Sequence, residues 1–237
     1  MNQKTPDTRR SAHYGRRHGH RLRAGRARLL AERLPGLSVE VPAPGAPPLD
    51  PLTLFAPEIR AVWLEIGFGV GEHLATQAAS HPEIGIIGCE PFINGVAALV
   101  SLVDEQSLAN VRIYPDDTMS LIGGLAEASI ARAFILFPDP WPKTRHHKRR
   151  LVQEPVLDAL ARLLIDGAEL RLATDHPGYA RWMVDRCRRH AAFEWTARRA
   201  DDWRVRPVDW PETRYEAKAR AAGRDGMFLA FRRRPRN

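Results

Sequence analysis

The stretch AVWLEIGFGVG, residues 61–71, decides the fold. Its first half, AVWLEI (61–66), is a short apolar run of the kind that forms a strand buried on both faces of a parallel sheet. Its second half carries Gly67, Gly69 and Gly71, residues that let a backbone turn tightly and approach a ligand closely. Residues 71–80 then read as helical, and a regular alternation follows. IGIIGCE (84–90) is a second strand and 92–106 a second helix. VRIY (111–114) is a third strand, 118–128 a weak helix interrupted by Gly123 and Gly124, and ARAFILF (131–137) a fourth strand. Residues 151–165 form an amphipathic helix that tolerates Pro155 in its first turn. AELRLAT (168–174), a helix over 177–190, AAFEWT (191–196) and GMFLAFR (226–232) complete the series. Such alternation implies an α/β sheet with helices on both faces.

Upstream of residue 52 the character changes. Residues 22–34 predict a short helix with Leu22, Leu29, Leu30 and Leu34 as its apolar positions, and 35–51 hold six prolines, a linker or extended cover. The expected organisation is a basic N-terminal arm with a Pro-rich linker (1–51) and one folded domain (52–237).

Charge follows the same division. The net charge of +8 over 237 residues is distributed in blocks. Residues 1–33 hold ten basic and two acidic residues, 34–142 three and thirteen, and 143–237 twenty-three and thirteen. Basic blocks suit a polyanionic partner, and the acidic middle points to a different chemistry there. At 44% apolar the chain buries a real core, which excludes full disorder. No apolar run reaches the roughly 18 residues of a membrane span. Cys89 and Cys187 stand far apart, which excludes a disulfide scaffold and a Cys-rich zinc site and fits a reducing, cytoplasmic setting. The Arg-rich start of the chain has no secretory apolar region; because it is poor in Ser and carries three His, a nucleic-acid-binding or simply disordered arm fits it better than a transit peptide.

Four acids, Glu65, Glu90, Asp117 and Asp139, each fall at or just after the end of a predicted strand, in steps of 25, 27 and 22 residues. In open α/β sheets ligands bind outside the carboxyl ends of the strands, so successive strand-end acids converge on one crevice. The pattern G-x-G-x-G breaks the dinucleotide fingerprint, and no P-loop is present. Glu90 stands where a ribose acceptor belongs, and Asp117 suits an adenine amino group. Acids without an anion-seeking loop fit a cationic nucleoside, and S-adenosylmethionine (SAM) is that ligand.

FPDPWPKTRHHKRR (137–150) follows the fourth strand. Its three prolines hold Asp139 and Trp141 rigidly, and the cations after them form a phosphate-binding stretch. The adjacent His146 and His147 do not make a metal site by themselves. TDHPGY (174–179) sets Asp175 after the fifth strand. TRYEAK (213–218) gathers hydroxyl, basic, aromatic and acidic groups before the last strand. Trp182 and Trp195 read as core residues.

Taken in order, EIGFGVG, FPDPWPKTRHHKRR, TDHPGY and TRYEAK resemble the bacterial tRNA (guanine-N7-)-methyltransferases, with YGRRHGHRL (14–22) similar to that family's N-terminal segment. The resemblance implies a seven-stranded Rossmann-like SAM-dependent methyltransferase sheet. It implies methyl transfer to N7 of guanosine 46 in the tRNA variable loop. It assigns SAM to Glu65, Gly67, Gly69, Gly71, Glu90, Asp117 and Asp139, with Asp139 also catalytic. Substrate binding would fall to Lys143, Asp175, Thr213, Arg214, Tyr215 and Glu216. RNA contact would fall to Arg145, His146, His147, Lys148, Arg149 and Arg150. It implies no metal and leaves monomer and homodimer open. Cys89 and Pro91 depart from the aliphatic residues usual in the family's second strand. Two alternatives stand beside it: a SAM-dependent methyltransferase of another substrate, and a non-catalytic RNA-binding protein of the same fold.

Overall fold

Strand formation begins where the sequence placed it. The computed structural model describes residues 17–43 and 45–236; residues 1–16 of the expected arm lie outside the described residues. The central strand β1 (Ala61–Ile66) pairs in parallel with β2 (Ile84–Cys89) on one side and β4 (Ile130–Leu136) on the other. β3 (Val111–Tyr114) lies outside β2 and β5 (Leu164–Thr174) outside β4, both parallel. β7 (Met227–Arg233) pairs antiparallel with β5, and β6 (Phe193–Trp195) antiparallel with β7. The order is β3-β2-β1-β4-β5-β7-β6.

The period-2 alternation of β1 sorts its side chains between two cores. Val62, Leu64 and Ile66 join the layer holding α4 (Thr118–Gly124), α5 (Glu154–Leu163) and α6 (Pro177–Arg189). Trp63 joins the layer of α2 (Glu72–Ser80) and α3 (Ile93–Glu105), and Glu65 shares its face. Leu64 is 0% exposed, and burying such a side chain stabilises by about 1.5–3 kcal/mol.

α1 (Ala24–Leu37) places Leu29, Leu30, Leu34 and Leu37 against the α3 side of the core. The Pro-rich segment is a cover with two anchors: Ser38 bridges Ile113 and Leu49 bridges Leu125. Two short helices that the periodicity did not predict, α7 (Asp201–Arg204) and α8 (Arg214–Ala221), connect β6 to β7. The expected helix over 151–165 is shorter, because Leu164 already pairs with Ile130 and opens β5. An apolar Leu-Leu-Ile run suits either element, and strand pairing decides it.

Candidate active site

Strand order reverses between β1 and β4, and the crevice at their carboxyl ends is the topological switch point. Gly67, Gly69 and Gly71 follow β1 with φ of 75°, 58° and 82°, the left-handed region that glycine adopts without strain. A second constraint comes from α3. A Cβ on Gly95 would stand 2.1 Å from the Gly69 carbonyl oxygen, so the helix and the glycine loop touch backbone to backbone.

The strand-end acids are held in different ways. Glu90 is 9% exposed, and its two oxygens accept from the Gly69 and Phe92 amides, each at 2.9 Å. Burial pushes its carboxyl above the usual range, those two amides oppose the shift, and the charges of Asp139 and Glu65 add to it. Glu65 is 3% exposed and bonds through Oε2 to Nδ1 of His73 at 2.7 Å. Asp117 caps α4, its Oδ1 accepting from the Met119 and Ser120 amides. Asp139 is exposed between Phe137 and Trp141, whose φ values of 51° and 40° are strained for side-chain-bearing residues.

A cleft of about 390 Å³ is lined by Gly67, Gly69, Glu90, Phe137, Asp139 and Trp141. A second, of about 260 Å³, is lined by Glu65, Gly69, His73, Phe137, Thr213 and Tyr215. They share Gly67, Gly69 and Phe137, so the glycine loop and the post-β4 turn form one divided site. Asp117 lines neither cleft; its neighbour Thr118 lines the first. A larger cleft, about 630 Å³, lies along α6 beside Trp195 and Trp203, and no sequence-predicted site residue lines it.

The basic stretch divides by exposure. Lys143, Arg145 and Lys148 are exposed around the 3-10 turn Thr144–Arg149. The Arg149 guanidinium lies 4.9 Å from the centre of the Trp141 ring, with His146 edge-on to that ring at 5.8 Å, while His147 meets Trp182. Desolvation, then the cations Arg149, Arg145, Lys143 and Lys148, lower the His146 imidazole below its ordinary value. Arg150, expected among the RNA-contacting cations, is 3% exposed. Its Nε donates to the Pro140 carbonyl at 2.9 Å, and its guanidinium lies over Tyr179 and Trp182 at 5.0 and 4.9 Å. It braces the Asp139 turn from within.

The later segments close the other side. Asp175 accepts from Nε of Arg224 at 2.9 Å and meets the Tyr215 hydroxyl at 3.5 Å. The Tyr215 ring packs on Phe137 at 5.3 Å. Arg214 donates from its amide and from Nε to the Glu72 carboxylate at the start of α2. Thr213 caps α8 by accepting from the Glu216 amide at 3.2 Å. Glu216 is 8% exposed and ion-paired to Arg206 at 3.1 Å, which binds it to α8 packing and withdraws it from an open substrate site. Sequence reading missed His73, Gln77 and Arg224. The signal for His73 was its position beside Glu72 in the first turn after the glycines. Arg224 carried none.

Cys89 donates to the Asp116 carbonyl at 3.3 Å and lies 3.4 Å from the Thr118 hydroxyl. Burial pushes its thiol up to about 12. The unusual cysteine therefore ties β2 to the β3 loop as an unreactive thiol.

The donor set fits SAM. The charges of Asp139 and Glu65 disfavour the Glu90 anion beside the cleft, and a cationic nucleoside relieves that repulsion. Among the described residues no group of His, Cys, Asp and Glu forms a metal site, and no helix is long and apolar enough to cross a membrane.

Residues 60–229 match a family described as "putative methyltransferase". The tRNA (guanine-N(7)-)-methyltransferase of Rhodospirillum rubrum is 52% identical over 224 residues, covering 94% of this chain and 88% of that protein. Its counterpart in Paramagnetospirillum magneticum is 47% identical over 224 residues, 94% of this chain and 93% of that protein. Among solved structures, the 16S rRNA methyltransferase KamB aligns with TM-score 0.53 at 15% identity, covering 75% of this chain and 90% of that one. A SAM-dependent O-methyltransferase from Thermotoga maritima aligns with TM-score 0.50 at 15% identity, covering 76% and 61%. These two likenesses establish the fold.

Proposed function

The chain belongs to the tRNA (guanine-N7-)-methyltransferase family, and from that premise we propose that it methylates N7 of guanosine 46 in the variable loop of tRNA. The observation that carries this is one juxtaposition. The glycine loop with Glu90 and the strained turn with Asp139 line a single cleft, and the exposed Lys143, Arg145 and Lys148 stand beside it.

Glu65, Glu90, Asp117 and Asp139, with the amides of the glycine loop, would hold SAM. When bound, SAM supplies an electrophilic methyl group on a sulfonium centre. Guanine N7 has an in-plane lone pair, so no proton must leave it and no strong base is required. The protein's task is to hold N7 in line, a matter of proximity and orientation. Asp139, fixed between two prolines, orients the purine and offsets the positive charge that develops on it. Tyr215, Asp175 and Lys143 border the purine's approach, and Arg145, Lys148 and Arg149 take backbone phosphates. Residues 1–51 add the basic arm and cover to the catalytic domain, in a cytoplasmic enzyme.

The test is incubation with SAM and unmodified tRNA, then chemical cleavage at 7-methylguanosine. Cleavage at position 46 of the tRNA is expected. Methyl transfer to another nucleotide, or none, refutes the assignment. Asp139→Ala should abolish turnover while leaving the fold and most tRNA affinity intact.

A further inference from the structure

The buried contacts of α2 specify a protonation pattern beneath the glycine loop. Gln77, 3% exposed, lies with Nε2 2.7 Å from the Asp209 backbone carbonyl. A carbonyl only accepts, so the amide must present its NH₂ group there. That same nitrogen lies 3.4 Å from Nε2 of His73. Two donors cannot face each other, so Nε2 of His73 must be the acceptor. The ring proton then sits on Nδ1 and is donated to Oε2 of Glu65 at 2.7 Å. Phe134 closes the ring's other side edge-on at 4.8 Å. Nearby charges are already engaged: Asp209 by Arg171 at 2.7 Å, and Glu72 by Arg214.

We propose that Gln77, fixed by the Asp209 carbonyl, holds His73 as the neutral Nδ1–H tautomer and thereby keeps Glu65 an anion for the cationic cofactor. His73 and Gln77 are positioning residues, and their purpose rests on the reading of the cleft as the SAM site. A doubly protonated His73 would cancel the Glu65 charge and remove one anion from a site built to attract a cation. The same contacts seat 209–214 along α2, from Gln77 to Glu72, so the strand-end acid and the segment bearing Tyr215 share one helix.

The experiment is ¹⁵N NMR of histidine-labelled protein at pH 7, with the His73 resonances identified by their loss in His73→Asn. A protonated Nδ1 and an unprotonated Nε2 are expected. An Nε2-protonated or doubly protonated ring overturns the proposal. Gln77→Met keeps the side-chain length and removes the donor, and it serves where His73→Asn does not fold. It should weaken SAM binding by about tenfold in equilibrium dialysis, the loss of one charge's attraction at a partly buried site, and leave tRNA affinity within about twofold. SAM binding equal to wild type in Gln77→Met refutes the link to the cofactor. Failure of the wild type to bind SAM instead refutes the cofactor reading, whatever tautomer the spectra show.

Discussion

Replacing Arg150 by alanine should unfold the Asp139 turn's support without removing an RNA contact. Arg150 is 3% exposed, donates to the Pro140 carbonyl at 2.9 Å and sits against two aromatic rings at 5.0 and 4.9 Å. A hydrogen bond from a charged donor contributes about 1.5–3 kcal/mol, and a desolvated cation over an aromatic ring about 0.5–2 kcal/mol. Allowing for the non-additivity of contacts made by one group, the loss is about 3 kcal/mol. For a chain of this size each kcal/mol moves Tm by about 2–4 °C, so Arg150→Ala should melt about 6–12 °C lower. Arg150→Lys should recover only part of this, since an ammonium lacks the planar fork. The assay is thermal denaturation of the full chain, paired with tRNA binding across a salt series. Arg145→Ala and Lys148→Ala should do the opposite, leaving Tm unmoved while each lowers the salt slope by about one. If Arg150→Ala melts like wild type and lowers the salt slope as Arg145→Ala does, the bracing role is wrong.

Gly95→Ala should cripple the cofactor loop, because its Cβ would stand 2.1 Å from the Gly69 oxygen; the expected cost is at least about 1–3 kcal/mol, read as lower Tm and at least tenfold weaker SAM binding, and wild-type behaviour would mean the loop yields freely. Glu90 protonates above the ordinary carboxylate range because of burial, so acidification should weaken SAM binding before carboxylates of ordinary value titrate, and Glu90→Gln should abolish that early phase in a pH series of dialysis measurements. The stability sign is opposite. A raised folded value favours the fold below the unfolded pKa and is lost as pH rises through the folded one, so Glu90→Gln should flatten stability over that acidic window; a stability curve unchanged by the substitution would contradict the burial cause.

The sheet and its switch point were legible because periodicity and glycine placement are local properties. β1, its glycine turn and the four strand-end acids needed nothing beyond spacing. What escaped depended on packing between distant segments. Arg150 reads like its neighbours in sequence, and only the rings of Tyr179 and Trp182 distinguish it. Glu216 reads as an available carboxylate until Arg206 buries it. One miss was avoidable. Thr213-Arg-Tyr-Glu216 has the spacing of a capping box and announces the start of α8. His73 meets Glu65 only because the glycines reverse the chain between them, a turn readable in kind but not in reach.

The place of β7 bears on how the chain is made. β7 follows β6 in sequence yet lies between β5 and β6, and among the described residues β6 pairs with no strand but β7. Removing Met227–Arg233 would open a gap inside the sheet and strand β6 as an unpaired ribbon. During synthesis β6 emerges with α6 to pack on but must wait for β7 before it has a strand to pair with. The wall beside Tyr215 is completed when β7 threads into the sheet and sets Phe228 against Phe137 and Trp210, so a chain that stopped before β7 would hold a nearly formed cofactor crevice with an unfinished wall opposite it.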